Sequence, residues 1–481
     1  MPSGSVTDSG VGKQIYIGGE WTSSSGAESI PVINPATEEV IAYVPSGSVD
    51  DADRAVEAAR RAFEDWSLTS PTARGKYAAE IADVLHGRAE EIADIVSAEV
   101  GTPRRPAVES QVNSAISTMR SYAALARTYL WEERIGQTVV VRAPVGVVVA
   151  ITPWNFPVSL VIEKVAPALV AGCPVILKPS EVAPLSAWML AEAADAAGLP
   201  AGVFNLVSGR GPVVGEALVR NPNVDMVSFT GSTRAGKRIL ELSAGHVGRH
   251  VLEMGGKSAN IVLDDADLDK ALPAAVKTCF FNSGQVCVAP TRLLAPRSVY
   301  DEVVERVREI AESVSVGNPA DAVDIGPVVS DAQRARVREY IQVGIDEGAR
   351  LVTGGTEPPE GLGTGYYVRP TVFADVENSM RIAREEIFGP VLSIIAYDDE
   401  ADAIRIANDS PYGLSGGVWS SDRSRAERVA RALRTGMVRI NGGTLARGAP
   451  FGGFKQSGIG RAKGVFGLDE YVEIQSISHP A

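Results

Sequence analysis

The sequence predicts an α/β protein of two sizeable domains, each built on a sheet that helices cover. Three observations carry this expectation. The chain has 481 residues, which is long for one hydrophobic core. From about residue 145 onward, short apolar runs alternate with helix-like runs, the pattern of a parallel sheet with helical crossovers. Those short runs are apolar on both faces, as strands of a buried parallel sheet must be.

Composition narrows the function classes. The chain is 45% hydrophobic and 22% charged, an ordinary globular balance. With 46 Lys+Arg against 59 Asp+Glu the net charge is -13, which argues against nucleic acid or another polyanion as the main partner. The opening "MPSGSVTDSGVGK" has neither the basic start nor the apolar core of a signal peptide, and Pro, Gly or charge breaks each apolar run before it could span a bilayer. A cytoplasmic protein without a membrane segment is expected. Cys173, Cys279 and Cys287 are too few and too unevenly spaced for a disulfide framework or a CxxC metal site, so no metal is expected and any special role should lie in thiol chemistry.

The elements follow in order. "SVDDADRAVEAARRAFEDW" opens with a capping box, Ser48 to Asp51, and sets Ala55, Ala59, Phe63 and Trp66 along one helical stripe. Helical sequence continues to about Leu130. In "QTVVVRAPVGVVVAITPW" β-branched residues dominate and "RAPVG" interrupts them, which reads as two strands joined by a turn. The strands "VGVVVAITP", "CPVILKP", "VFNLVSG", "MVSFTGS" and "SANIVL" then alternate with helices such as "LSAWMLAEAADAAG". Ligands of such sheets bind at the carboxyl ends of the strands, so motifs placed there gain weight. A second alternating series follows Gly255-Gly256, through "VVERVREIAESV" and "PVLSIIAYD" to "TGMVRINGG", and the tail ends in the strand-like "EYVEIQSIS".

Several residues could carry chemistry. Cys173 and Cys279 lie in apolar runs and read as small buried hydrophobes. Cys287 follows the polar, flexible "NSGQ"; it reads either as another such residue or as a nucleophile with room for a substrate. None of the four histidines is tied by spacing to Cys287, so a carboxylate is the next candidate base. Glu253 closes an apolar run before Gly255-Gly256, either as a desolvated carboxyl of raised pKa or as an exposed strand-end charge. "SGRGPVVGEAL" follows a strand and opens a helix, but Gly209, Gly211 and Gly215 space as GxGxxxG, one residue longer than the usual dinucleotide fingerprint. "FTGSTRAGK" repeats the arrangement at Gly231 and Ser232. Lys178 and Glu181 of "ILKPSE" suit a ribose with adjacent hydroxyls, or are solvated loop charges.

Together, "NPATEEVIA", "PWNFP", "KPSE", "FTGS", "EMGGKSANIV", "GQVC", "EEIFGPV" and "PFGGFKQSGIGR" make the sequence resemble the aldehyde dehydrogenase superfamily over nearly its whole length. The resemblance implies a Rossmann-variant dinucleotide-binding domain (residues 1–121 and 145–256), an α/β catalytic domain carrying the thiol (257–457), and a small β oligomerisation element (122–144 and 458–481). It implies that Cys287 is the catalytic nucleophile, Glu253 the general base and Asn155 the amide that holds the oxyanion with the Cys287 N–H. For the cofactor, Lys178 and Glu181 match the adenosine-ribose positions, Ser232 the pyrophosphate contact, and Glu386 with Phe388 the nicotinamide ribose. Thr152, Trp154, Gly211 and Gly231 lie along the same path. The implied activity is oxidation of an aldehyde to the acid with NAD, NADP being less favoured, in a homodimer or homotetramer.

Other readings compete with it. In an acylating relative coenzyme A takes the acyl group, but those enzymes generally lack the base at the position of Glu253. A cofactor-free cysteine hydrolase leaves "KPSE", "FTGS" and "EEIFGPV" without work, and a silent binding protein has no need of an intact thiol, amide and base. The sequence departs from many relatives at Glu163 and Leu445, where an aromatic residue is usual. Val286 and Val288 flank the thiol, neither being the arginine of some semialdehyde-oxidising relatives. With Phe156, Leu160 and Phe451 they predict a mostly apolar tunnel, Arg447 being the one nearby cation.

Overall fold

The computed structural model describes residues 14–480, so the reading of residues 1–13 lies outside the described part. Among the described residues the strands assemble into sheets of eight, seven, three and two. In the eight-stranded sheet five strands run parallel: Arg249–Met254, Met226–Gly231, Val148–Ile151, Val175–Lys178 and Phe204–Leu206, in that spatial order. The first of these in the chain, Val148–Ile151, lies at the centre. Two strands are then added on one side and the last two on the other. The winding direction therefore reverses between Val148–Ile151 and Met226–Gly231, and a crevice opens at their carboxyl ends.

Burial explains why these segments became strands. Val148 and Ala150 face a core shared with the helices Ser159–Ala171 and Leu185–Ala196, whereas Val147 and Val149 face a second core with the helix Val49–Trp66. Successive side chains of a strand point to opposite faces, so both sets are apolar. The helix Val49–Trp66 carries the predicted capping box, with both Ser48 and Asp51 hydrogen bonds formed, and buries Ala55, Ala59 and Trp66.

The seven-stranded sheet takes the second series. Its order is Arg350–Thr353, Thr371–Ala374, Val391–Tyr397, Arg292–Pro296, Ala259–Val262, Ser415–Trp419, Met437–Ile440, and only the first of these pairs antiparallel. Arg292, buried at the head of its strand, donates to the carbonyls of Lys257, Ile406 and Ala407. It thereby ties the strand that follows the Cys287 loop to the chain just beyond Glu253.

One expectation is corrected. The strands on either side of "RAPVG" do not pair with each other: Thr138–Pro144 joins Glu132–Ile135 and Val472–Ser478 in a three-stranded antiparallel sheet, while Val148–Ile151 enters the eight-stranded one. The physical reason lies in the connection. Pro144 has no N–H to continue a ladder, and Gly146 takes φ +130°, where a Cβ would lie 2.0 Å from the Asp225 carboxylate. The strands between Ile15 and Pro45 were not foreseen, being short and partly on the sheet edge. No helix among the described residues is long and apolar enough to cross a membrane.

Candidate active site

Three parallel strands deliver residues to the crevice. Beyond Val148–Ile151 come Trp154 and Asn155; Met226–Gly231 ends at Gly231 and Ser232; Arg249–Met254 carries Glu253 directly beside Thr230. These residues line one cavity of about 640 Å³ together with Cys287, Glu386 and Phe388. Ser232 caps the helix Thr233–Ser243, accepting from the Ala235 N–H, so the free N–H groups of that helix end face the cavity.

Four predicted residues lie outside that cavity. Lys178, buried at its strand end, donates to the Pro179 carbonyl at 3.0 Å and to Glu181 at 3.3 Å. Thr152 donates its N–H to the Lys178 carbonyl, and its buried hydroxyl has no partner. Gly211 opens the turn Gly211–Gly215, where a Cβ would meet nothing within 4 Å, so local crowding does not demand glycine there.

The thiol is presented by a strained loop. After the helix Leu268–Phe280, Asn282 (φ 51°), Ser283 (φ 57°) and Gly284 (φ 72°) are all left-handed. Side chains hold that conformation in place. Asn282 accepts from Thr102 at 2.8 Å and donates to the Asn155 carbonyl at 3.1 Å, and Ser283 donates to the Gly326 carbonyl at 2.7 Å. Gln285 donates to the Asn282 carbonyl and accepts from the Val329 N–H. A Cβ on Gly284 would lie 2.0 Å from the Gly389 carbonyl oxygen. Asn155 Nδ2 donates one hydrogen to the Gln285 carbonyl at 3.0 Å, leaving its second for another acceptor.

The electrostatics are those of burial. Cys173 and Cys279 are fully buried, whereas Cys287 opens to the cavity. Burial pushes the Cys287 thiol up to about 12, with the carboxyls of Glu386, Glu253 and Glu163 adding to the effect. Glu253 is 4% exposed and neither carboxyl oxygen has a hydrogen-bond partner, so burial raises it well above the usual carboxyl range although Lys164 opposes the shift. Glu386 accepts from the Gly256 N–H at 3.3 Å and is pushed up by burial to about 7. Phe388 meets Trp154 edge to face at 5.3 Å, and Gln333 donates to its carbonyl at 2.8 Å.

Two parts of the expected wall are corrected, Phe156 as a lining residue and Arg447 as the one nearby cation. Leu160 and Phe451 do line the thiol cavity, but Phe156 packs on Phe281 instead. Glu163 lines the same cavity and is ion-paired with Lys463 at 3.0 Å. A second cavity of about 800 Å³ shares Phe451 and is lined by Val288, Leu445, Arg447 and Lys463. Lys463 escaped the sequence reading because its placement depends on a left-handed backbone, φ 73°, that no periodicity reports.

A parallel-sheet crevice that gathers a thiol, a buried carboxyl and a helix N-terminus defines an α/β enzyme with a nucleotide-type cleft. The chain belongs to the aldehyde dehydrogenase family, whose model it matches over residues 21–477. It is 47% identical over 467 residues to a 3-succinoylsemialdehyde-pyridine dehydrogenase of a Pseudomonas species, covering 97% of this chain and 98% of the relative. A solved variant of aldehyde dehydrogenase C from Pseudomonas syringae, in complex with NAD+ and octanal, superposes with a TM-score of 0.97 at 46% identity, covering 99% of each chain. The aldehyde dehydrogenase of Mycobacterium tuberculosis complexed with NAD+ gives 0.95 at 44% identity, covering 97% of this chain and 98% of that one.

The loop makes a steric prediction. Gly284→Ala adds the left-handed cost of about 1–2 kcal/mol and forces the loop away from Gly389. Thermal unfolding should shift down by several degrees, and kcat/KM should fall by roughly a hundred-fold as the thiol is displaced. Unchanged values for both would show that the loop tolerates the shift.

Proposed function

We propose that this chain oxidises an uncharged small-molecule aldehyde to the carboxylic acid with NAD as hydride acceptor, Cys287 acting as nucleophile and Glu253 as general base. The observation that carries the reading is the cavity itself, which brings the Cys287 thiol and a partnerless buried carboxyl, Glu253, to the carboxyl ends of the parallel strands. Octanal in the Pseudomonas syringae relative supports an aldehyde with an apolar tail, as do Leu160 and Phe451 in the wall.

The residues present fit the cofactor. The buried hydroxyls of Thr152 and Thr230 have no partner, and Gly255 leaves space that a Cβ would take from Glu386, at 2.0 Å. Ser232 and the N–H groups of the helix Thr233–Ser243 would hold the pyrophosphate, Lys178 and Glu181 the adenosine ribose, and Glu386 the nicotinamide ribose. Trp154, Gly211, Gly231 and Phe388 would line the path. NAD, when bound, supplies the acceptor for the hydride that leaves the substrate carbon.

The chain's own groups account for the rest. The Cys287 thiolate adds to the aldehyde carbon, forming a C–S bond and an oxyanion that the free Asn155 Nδ2 hydrogen and the Cys287 N–H stabilise. Loss of hydride leaves a thioester on Cys287. Glu253, made more basic by burial, takes a proton from water as the water attacks the thioester; the C–S bond breaks and the acid leaves. A buried Glu253 also favours this hydrolysis over transfer to coenzyme A.

The same reading divides the chain at residues 1–121 with 145–256, 257–457, and 122–144 with 458–481. The three-stranded sheet exposes Ile135, Ile474 and Ile477, which supports its use in a homodimer or homotetramer. A nucleophile that must stay reduced, beside two further free cysteines, favours the cytoplasm.

Two outcomes test the proposal. Cys287→Ala should retain cofactor binding, read by fluorescence, while kcat falls below about 1% of the parent, a loss above roughly 3 kcal/mol. Glu181→Ser should move the kcat/KM ratio from NAD towards NADP, because the carboxylate that accepts from a free 2′-hydroxyl repels a 2′-phosphate. An unchanged ratio removes Glu181 from cofactor selection.

A further inference from the structure

We propose that Gln111 is a positioning residue for the Asn155 amide, closing with Thr102 and Asn282 a ring of buried hydrogen bonds on the Asn155 carbonyl. The inference rests on the Asn155 amide holding the oxyanion and names what holds the amide.

The four residues come from four separate stretches of chain. Thr102 follows the left-handed Gly101 at the end of the helix Ala89–Val100, and Gln111 lies in the π-helix Ala107–Asn113 that leads into the helix Ser114–Thr128. Asn155 follows the strand Val148–Ile151, and Asn282 belongs to the left-handed thiol loop. All four are buried. Gln111 Nε2 donates to Thr102 Oγ1 at 3.1 Å, Thr102 donates to Asn282 Oδ1 at 2.8 Å, and Asn282 Nδ2 donates to the Asn155 carbonyl at 3.1 Å. Gln111 Nε2 closes the ring on the same carbonyl with a longer contact of 3.5 Å.

The chemistry of each group fixes the direction of every bond. The Asn155 carbonyl can only accept, so the amide hydrogens of Asn282 and Gln111 must face it, which turns Asn282 Oδ1 towards Thr102. The Thr102 hydroxyl has one hydrogen and gives it to Asn282, so it accepts from Gln111. Gln111 thus uses both amide hydrogens inside the ring, and its buried Oε1 has no partner. An unsatisfied buried carbonyl costs stability, and an apolar side chain of the same length would carry no such cost. Stability therefore does not explain a glutamine here. The backbone agrees: a π-helix is rare and is found mostly beside functional sites. Through it the Gln111 carbonyl accepts from Ser159 Oγ at 2.9 Å, at the start of the helix that Asn155 leads into. Asn155 is then gripped at both ends, its carbonyl by the ring and its Nδ2 by the Gln285 carbonyl at 3.0 Å, which gives the second Nδ2 hydrogen a fixed aim.

The test is a double-mutant cycle in the full-length protein, read as kcat/KM for octanal with NAD. Gln111→Met keeps the length and packing of the side chain but removes both donors. It should lower kcat/KM about ten-fold in the parent, through kcat more than KM, yet by less than about two-fold in an Asn155→Ala background, where no amide remains to be aimed. Thr102→Val opens the ring at another point and should behave like Gln111→Met, while Thr102→Ser, which keeps the hydroxyl, should recover most of the parent activity. Iodoacetamide labelling of Cys287 should keep the parent rate in all of them, because the amide acts on the oxyanion and not on the thiol. A merely structural role multiplies the losses, so equal fold-changes in the two backgrounds overturn the proposal. So does parent-like activity of Gln111→Met, or Cys287 labelling that slows as much as turnover. If Asn155→Ala alone leaves kcat/KM unchanged, the oxyanion reading itself fails and takes this inference with it.

Discussion

Three consecutive left-handed residues, Asn282 to Gly284, are the constraint on which the rest of the site depends. They turn the chain from the helix Leu268–Phe280 back into the crevice, and Gly284 does so against the Gly389 carbonyl, where no side chain fits. Because Gly389 directly follows Phe388, the same contact sets the thiol loop and the Glu386–Phe388 loop relative to each other. Asn282 and Gln285 then bind the Asn155 backbone and side chain. One tight packing point thus couples the thiol to its amide partner and to the opposite wall. Residues at unfavourable φ persist only where the surroundings over-determine them, and here they are met by a ring of buried hydrogen bonds.

Burial is the second organising effect, and it acts on charge. Glu253, Glu386 and the Cys287 sulfur are enclosed together with few polar partners, so each is pushed towards its neutral form. Lys164, Arg461 and Lys463 oppose this for Glu253, and Lys463 opposes it for the thiol as well. A carboxyl left without hydrogen bonds in such a place costs several kcal/mol of folding stability. Strain and desolvation of this kind collect at functional sites.

Much of this was legible in the sequence because the signals are local. Apolar runs that alternate with helices marked the parallel strands, and the residues at their ends, Asn155, Ser232 and Glu253, fall where strand ends converge. Ser48 and Asp51 declared a helix start through chemistry confined to four residues. Pairing between distant segments was harder: "RAPVG" was read as joining two strands of one ribbon, whereas Pro144 and Gly146 send them to different sheets. Lys463 was invisible for a related reason. Its approach to Glu163 spans 300 residues of chain and a left-handed backbone, neither of which leaves a periodic trace, although Glu163 itself stood out in the sequence as a charge near the expected tunnel.

The central claim is that Cys287 takes up the acyl group and Glu253 drives its release. The most direct measurement is a rapid acid quench of Glu253→Gln mixed with NAD and octanal, followed by peptide mass analysis. The account predicts an octanoyl adduct on the Cys287 peptide that accumulates towards one per chain, needs the cofactor, and is sparse in the parent enzyme because deacylation there is fast. An adduct on Cys173 or Cys279, or none on Cys287 while reduced cofactor still forms, would contradict it.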